Sequence, residues 1–182
     1  HGVPQTRKRL ILFATRKGES NGFFDRLSLK RENFLLKKGI QVPVTVCEAI
    51  GDLERNHGEV QSKDSPRFMN GVYGKIMSPY QALMRACIGD GTIPDSHRFA
   101  KPKQGTVDLF ERLMNATDDA IRITPQMGMV EGLKKRGVTP LKHDCICPTI
   151  TSIPDDFIHY SEPRIMTVRE CARIQSFPDD YI

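Results

Sequence analysis

The residues best equipped for chemistry fall in two runs at opposite ends of the chain. Near its start, Gln5, Arg7 and Arg9 sit in Gly2-Val-Pro-Gln-Thr-Arg-Lys-Arg-Leu-Ile-Leu-Phe13. The two arginines alternate along an extended lead-in, so one can point to a pocket while the other meets phosphate or sheet neighbours. A guanidinium is always charged and presents planar donors, which suit a base carbonyl oxygen or a phosphate. The plain alternative is that the three residues close a strand end by ion pairing. Near the other end, Arg164, Thr167, Arg169, Glu170 and Arg173 are spaced for one helix. Thr167 and Glu170 form a capping box, and Arg169 and Arg173 share a face four residues apart. Between these runs, His97, Arg98, Lys101 and Lys103 make a basic loop. Thr149 and Thr151 carry short hydroxyls suited to phosphate, or are ordinary strand residues. His143, Cys145 and Cys147 invite a metal, but structural zinc sites prefer paired Cys-x-x-Cys, so no metal site is expected. Cys145 and Cys147 read instead as same-face residues of a short strand.

These residues need elements to hold them. The continuous apolar run Leu10-Ile-Leu-Phe-Ala-Thr15 predicts a strand buried on both faces, as in a parallel sheet. No βαβ repetition follows, so most of such a sheet would lie outside this chain. Residues 16–44 read as an irregular connection. Thr45-Val-Cys-Glu48 and Ser78-Pro-Tyr-Gln81 predict helix starts with capping boxes, the second with Pro79 at the favoured first position. A further helix is expected over 106–116, with Val107, Phe110 and Met114 on one side. The stretches 54–77, 88–105 and 135–164 are loop-rich, and loops on a rigid scaffold often carry function.

The chain has 182 residues, 38% hydrophobic and 27% charged, which excludes wholesale disorder and collagen-like repeats. No run approaches the ~20 apolar residues that span a bilayer. The chain opens on His1 with no leader pattern, and reads as a piece of a longer protein without a sign of export. Net charge is +5, and residues 1–39 alone carry ten Lys/Arg against three acids. A basic segment leading into a near-neutral body suits a polyanion, or is a solvated face. Five cysteines, an odd number without a secretion signal, argue against a disulfide framework and for a reducing cytoplasm.

The first run resembles the Gln-x-Arg-x-Arg motif of the cytosine-C5 DNA methyltransferase family, which leads into a strand of the central sheet. The second, Arg164-Ile-Met-Thr-Val-Arg-Glu-Cys-Ala-Arg-Ile-Gln-Ser-Phe-Pro-Asp-Asp-Tyr181, resembles the helix that braces the family's target-recognition domain. Thr45 to Leu53, Asp95-Ser-His97 and Pro148-Thr-Ile-Thr with Ile158-His159 extend the resemblance between them. Many relatives show Asn-His where Ser96-His97 stands.

The resemblance implies an α/β fold: a fragment of a Rossmann-like methyltransferase sheet plus an irregular mixed α+β target-recognition domain. Residues 1–16 would be the catalytic-domain strand, 17–163 the target-recognition region and 164–182 the bracing helix. The implied reaction moves a methyl group from S-adenosylmethionine to C5 of a cytosine flipped out of double-stranded DNA. Arg9 would reach the cytosine O2, with Gln5 and Arg7 supporting the pocket. Thr149, Thr151, His97, Arg98, Lys101 and Lys103 would meet DNA. Arg164, Thr167, Arg169, Glu170 and Arg173 would have a scaffolding role. The family's nucleophilic Pro-Cys pair, its Glu-Asn-Val motif and its glycine-rich loop are absent from this sequence. The nucleophile and the methyl-donor site are therefore expected elsewhere in the protein. A bacterial or phage modification enzyme of the cytoplasm is the expected setting. An RNA (tRNA) cytosine methyltransferase and a non-enzymatic DNA-binding module stand as alternatives.

Overall fold

The computed structural model describes residues 2–16, 22–151 and 154–181. Five α-helices and four short strands follow in chain order: α1 (Phe23–Lys38), α2 (Val46–Ile50), β1 (Glu59–Gln61), β2 (Met69–Gly71), α3 (Pro79–Met84), α4 (Gln104–Asn115), β3 (Thr139–Pro140), β4 (Phe157–Ile158) and α5 (Val168–Ile174). β1 and β2 pair antiparallel, with Val60 opposite Asn70. β3 and β4 pair parallel, with Pro140 opposite Ile158.

The capping residues start three helices where the spacing predicts. Thr45 Oγ1 accepts from the Glu48 N–H at 3.2 Å, and Glu48 Oε2 accepts from the Thr45 N–H at 2.8 Å. α2 thereby buries Val46, Ala49 and Ile50 on one face, with Leu53 in the turn that follows. It packs on α3 and α5. Each buried branched side chain is worth about 1.5–3 kcal/mol relative to exposure. Ser78 caps α3 by accepting from the Gln81 N–H. Its box is not reciprocal, because the Gln81 carboxamide oxygen accepts from Met77 instead. α4 begins at Gln104 and buries Phe110 and Leu113 against a second core of Ile123, Leu133, Val138 and Ile158.

Two expectations about the first 44 residues change. The run Leu10–Phe13 pairs with no strand among the described residues, and its side chains are exposed: Leu10 by 85% and Leu12 by 86%. A doubly buried strand needs neighbours on both sides, and none flanks it here. The connection expected over 16–44 contains the 16-residue helix α1, which closes on Gly39 at φ 66. Asp25 in its first turn and Lys37 and Lys38 in its last complement the helix dipole. Only Leu35 of this helix is buried, so a core-facing stripe could not announce it. Phe13 stacks flat on Phe23, ring centroids 3.8 Å apart.

The expected strand at Cys145–Cys147 reduces to one bridge, in which Cys147 pairs parallel with Gln5. Among the described residues the sheets are two-stranded, and no Rossmann-like sheet is formed. Nor is any described helix long and apolar enough to cross a membrane.

Candidate nucleic-acid interface and its brace

α5 is fastened to the rest of the chain by charged side chains that lie inside it. The Thr167 N–H donates to Glu170 Oε2 at 2.7 Å, and the Glu170 N–H donates to Thr167 Oγ1 at 3.3 Å. Glu170 also receives both arms of the Arg164 guanidinium, at 2.9 and 2.7 Å. Arg164 Nε donates to Glu162 as well. Burial alone would raise the Glu170 carboxyl, but Arg164 and His159 outweigh it and hold it at about 2. The His159 imidazole lies 3.6 Å from Glu170 Oε1 and is itself pushed down to about 4 by burial.

Arg173 is 0% exposed and is clamped from two sides. It donates to Asp52 Oδ1 at 2.8 Å and to Asp179 Oδ1 at 2.7 Å, and caps the Ala49 carbonyl of α2 at 2.9 Å. Asp52 is shared with Arg85, whose guanidinium lies 4.3 Å from the Tyr73 ring centroid. Arg169 reaches the same C-terminal segment and the 95–96 loop. It donates to the carbonyls of Asp95 and Tyr181 at 2.9 and 2.8 Å, and its own N–H donates to the Ser96 carbonyl. Ser96 adopts φ 57 to present that carbonyl.

His97 lies beneath this loop, 0% exposed, with Nδ1 2.8 Å from Thr167 Oγ1 and its ring edge-on to Phe99. A Cβ on Gly71 would stand 2.5 Å from His97 Nε2, so only glycine admits the imidazole there. The expectation that His97 faces DNA is therefore corrected: its ring is part of the brace, and no polyanion can reach it. Burial lowers its basicity.

Its neighbours remain on the surface. Arg98, Lys101 and Lys103 are exposed. Residues 97–99 add to the hairpin of β1 and β2 through the Gly71 N–H to the His97 carbonyl and the Phe99 N–H to the Met69 carbonyl. That pairing sets Arg98 over the half-buried Phe68 ring at 5.1 Å from its centroid, with Lys101 at 5.9 Å. Lys63 and Arg67 are exposed at the tip of the same hairpin. Phe68 had no signal in the sequence, since nothing there places a lone aromatic under two cations 30 residues away. A cleft of about 200 Å³ beside Arg98 is lined by Ser62, Asp64, Asn70, Asp95 and Ser96.

At the other end, Arg7 and Arg9 are exposed and Gln5 is half-buried. Arg9 donates to the neighbouring Lys8 carbonyl at 2.8 Å. Neither arginine lines any of the described cavities, and no base pocket is assembled around them by the described residues. The chain on either side of Gln5 is joined to Cys147 by backbone: the Thr6 N–H donates to the Cys147 carbonyl at 2.9 Å and the Cys147 N–H to the Pro4 carbonyl at 3.1 Å. Thr149 donates its hydroxyl to the Thr6 carbonyl. A hydroxyl has one hydrogen and phosphate oxygens only accept, so a Thr149 phosphate contact would exchange this bond for one to DNA. Thr151 is exposed.

No group of three or more His, Cys, Asp or Glu among the described residues could hold a metal. Among the described residues no sheet strand runs into a glycine turn and helix N-terminus.

The site thus defines a class: a mixed α/β chain whose buried ion pairs brace a surface of exposed cations suited to a polyanion. The sequence model of C-5 cytosine-specific DNA methylases matches residues 1–182, and the chain belongs to that family. It is 28% identical over 197 positions to the Type II methyltransferase M.Bpa9945I of Bacillus paralicheniformis, covering 99% of this chain and 41% of that protein. It is 28% identical over 195 positions to the Type II methyltransferase M.MthTI of Methanothermobacter thermautotrophicus, covering 100% of this chain and 44% of that protein. The chain therefore spans less than half the length of these relatives. No solved structure matches it.

Proposed function

We propose that the protein containing this chain is a DNA (cytosine-5-)-methyltransferase of the modification type. It transfers a methyl group from S-adenosylmethionine to C5 of a flipped cytosine at a specific duplex sequence. The observation that carries the reading is the family match along residues 1–182. The Type II names of the two relatives support the modification setting.

Within that protein, residues 1–16 belong with the catalytic domain, 17–163 with target recognition, and 164–182 with the brace between them. S-adenosylmethionine supplies the methyl group and is held outside this chain. The chain's own part is to hold and read DNA. Arg9 donates to O2 of the extruded base, and Arg7 and Gln5 support it; the exposed Arg7 and Arg9 are free to meet a ligand from outside the chain. Arg98 and Lys101, ordered over Phe68, take backbone phosphates with Lys103, while Thr151 and the 54–160 loops face the duplex. A cation held over a ring gives up less freedom on binding than one free in solvent. Arg164, Thr167, Arg169, Glu170 and Arg173 fix the brace on which these groups stand.

The test is methyl transfer by the full-length protein, with labelled S-adenosylmethionine offered to duplex DNA and to tRNA. Label in 5-methylcytosine of one duplex sequence is the expected result. Label in tRNA alone assigns the RNA alternative, and DNA binding with no transfer to either substrate assigns the non-enzymatic one.

A further inference from the structure

The short parallel ladder between Pro4–Thr6 and Cys147–Thr149 joins residues 141 to 143 apart in sequence. It consists of two backbone bonds, from the Thr6 N–H to the Cys147 carbonyl and from the Cys147 N–H to the Pro4 carbonyl, and the Thr149 hydroxyl closes it on the Thr6 carbonyl. That carbonyl belongs to the peptide unit that carries the Arg7 N–H. A peptide unit is planar and rigid, so fixing its oxygen fixes the direction from which Arg7 leaves the chain. Arg9 lies two residues further on, at most about 7 Å of chain beyond the pinned unit. Below the ladder the chain is anchored: Pro4 and Cys147 are buried, and Cys147 lies in the main core. Above it, from Arg7 to Leu12, the side chains are exposed. The Thr149 hydroxyl is thus the last fixed point before the arginines.

We propose that Thr149 is a positioning residue, which sets Arg7 and Arg9 by pinning the Thr6 carbonyl and so makes their placement depend on a seated recognition segment. The proposal rests on the reading of Arg9 as the base-pocket donor. Its chemical logic is that a donor misplaced by about an ångström can lower a rate by up to roughly 100-fold without altering substrate affinity. A duplex bound by phosphates elsewhere would hold as tightly, while the extruded base would find its donor out of place.

The experiment uses the full-length protein and the variants Thr149→Val, Thr149→Ser and Arg9→Ala. It reads the methylation rate at saturating target duplex, the duplex Kd with its salt dependence, and the melting temperature. Thr149→Val keeps the shape and removes the hydroxyl; the expected result is a rate about tenfold lower or more, with Kd and salt slope within about twofold of wild type. Thr149→Ser restores the bond and is expected to recover the rate. Arg9→Ala combined with Thr149→Val is expected to be no slower than Arg9→Ala alone, because both act through one guanidinium. If Thr149→Val weakens duplex binding and flattens the salt slope at an unchanged saturating rate, the hydroxyl meets phosphate and the proposal is wrong. A wild-type rate for Thr149→Val also overturns it. A wild-type rate for Arg9→Ala removes the reading beneath it, and is told apart because that variant leaves the ladder intact. Should Thr149→Val fail to fold, Thr149→Ala with Thr149→Ser as its rescue gives the same decision.

Discussion

At the scale of the residue, the guanidinium groups divide by burial into two kinds of work. Arg164, Arg169 and Arg173 are buried and each finds carboxylate or carbonyl partners inside the chain. Arg7, Arg9 and Arg98 are exposed; Arg9 donates to the neighbouring Lys8 carbonyl, and Arg98 lies over a ring face. An internal guanidinium that loses its place leaves carboxylates buried without a partner, whereas an exposed one that is removed leaves only water. Arg173→Ala should therefore lower stability by about 3 kcal/mol, since the buried Asp52 would keep only Arg85 and the buried Asp179 only Arg169, 4.0 Å away. Urea unfolding of the full-length protein measures this, and a change within about 0.5 kcal/mol would show that the clamp is dispensable. Arg9→Ala should leave that stability unchanged and slow methyl transfer by about tenfold or more, as expected for a charged hydrogen-bond donor. A wild-type turnover number at saturating DNA would remove Arg9 from the pocket.

At the scale of the element, α5 shows how a seven-residue helix becomes a structural joint. Its N-terminal box ties Glu170 to Thr167, and that carboxylate holds Arg164, while the far end clamps Asp52 after α2. The helix is too short to persist by propensity alone, so tertiary bonds must maintain it. The hairpin of β1 and β2 works differently, because its register with residues 97–99 brings Arg98 and Lys101 to Phe68. Replacing both cations with alanine should weaken binding to specific and non-specific duplexes alike. The slope of log K against log salt should become shallower by about 2, as each neutralised phosphate contributes about 0.9. A slope unchanged at all salt concentrations would show that the pair faces solvent. A loss confined to one target sequence would make the hairpin a base reader.

At the scale of the whole molecule, the brace makes stability depend on pH. His159 is held neutral by burial, its value depressed from 6.5 to about 4, and His97 is shifted the same way. The unfolded chain binds the proton more readily, so this part of the stability is complete above about pH 6.5 and is lost progressively toward about pH 4. Glu170 is depressed from 4.5 to about 2, so its part is present above about pH 4.5 and is lost below it. The urea midpoint should hold level above about pH 6.5 and fall between about pH 6.5 and pH 4.5, and His159→Gln should flatten that fall. An equal fall in the variant would assign the acid sensitivity to other groups. The apolar run at Leu10–Phe13 and the outer side chains of α1, among them Phe24, Phe34 and Leu36, lie exposed on one chain.

Much of this was legible in the residues themselves. Thr45 with Glu48 and Thr167 with Glu170 each specify a helix start, because capping partners lie within one turn and need nothing distant. The family was legible too, because Gln5-x-Arg7-x-Arg9 and the Arg164–Tyr181 run are local patterns in a fixed order. Partners distant in sequence were not. His97 looks like one more cation in a basic loop until Gly71 and Thr167 close around its ring, and nothing near Thr149 in sequence shows that its hydroxyl bonds the Thr6 carbonyl. α1 lacked the buried stripe that marks a helix in sequence, and Leu10–Phe13 carried the pattern of a buried strand without the neighbours that would bury it. Short-range capping and motif order are written in the spacing of neighbouring residues. Burial and hydrogen-bond commitment are set by residues that meet only when the chain has folded, and those decide which polar groups remain free to act.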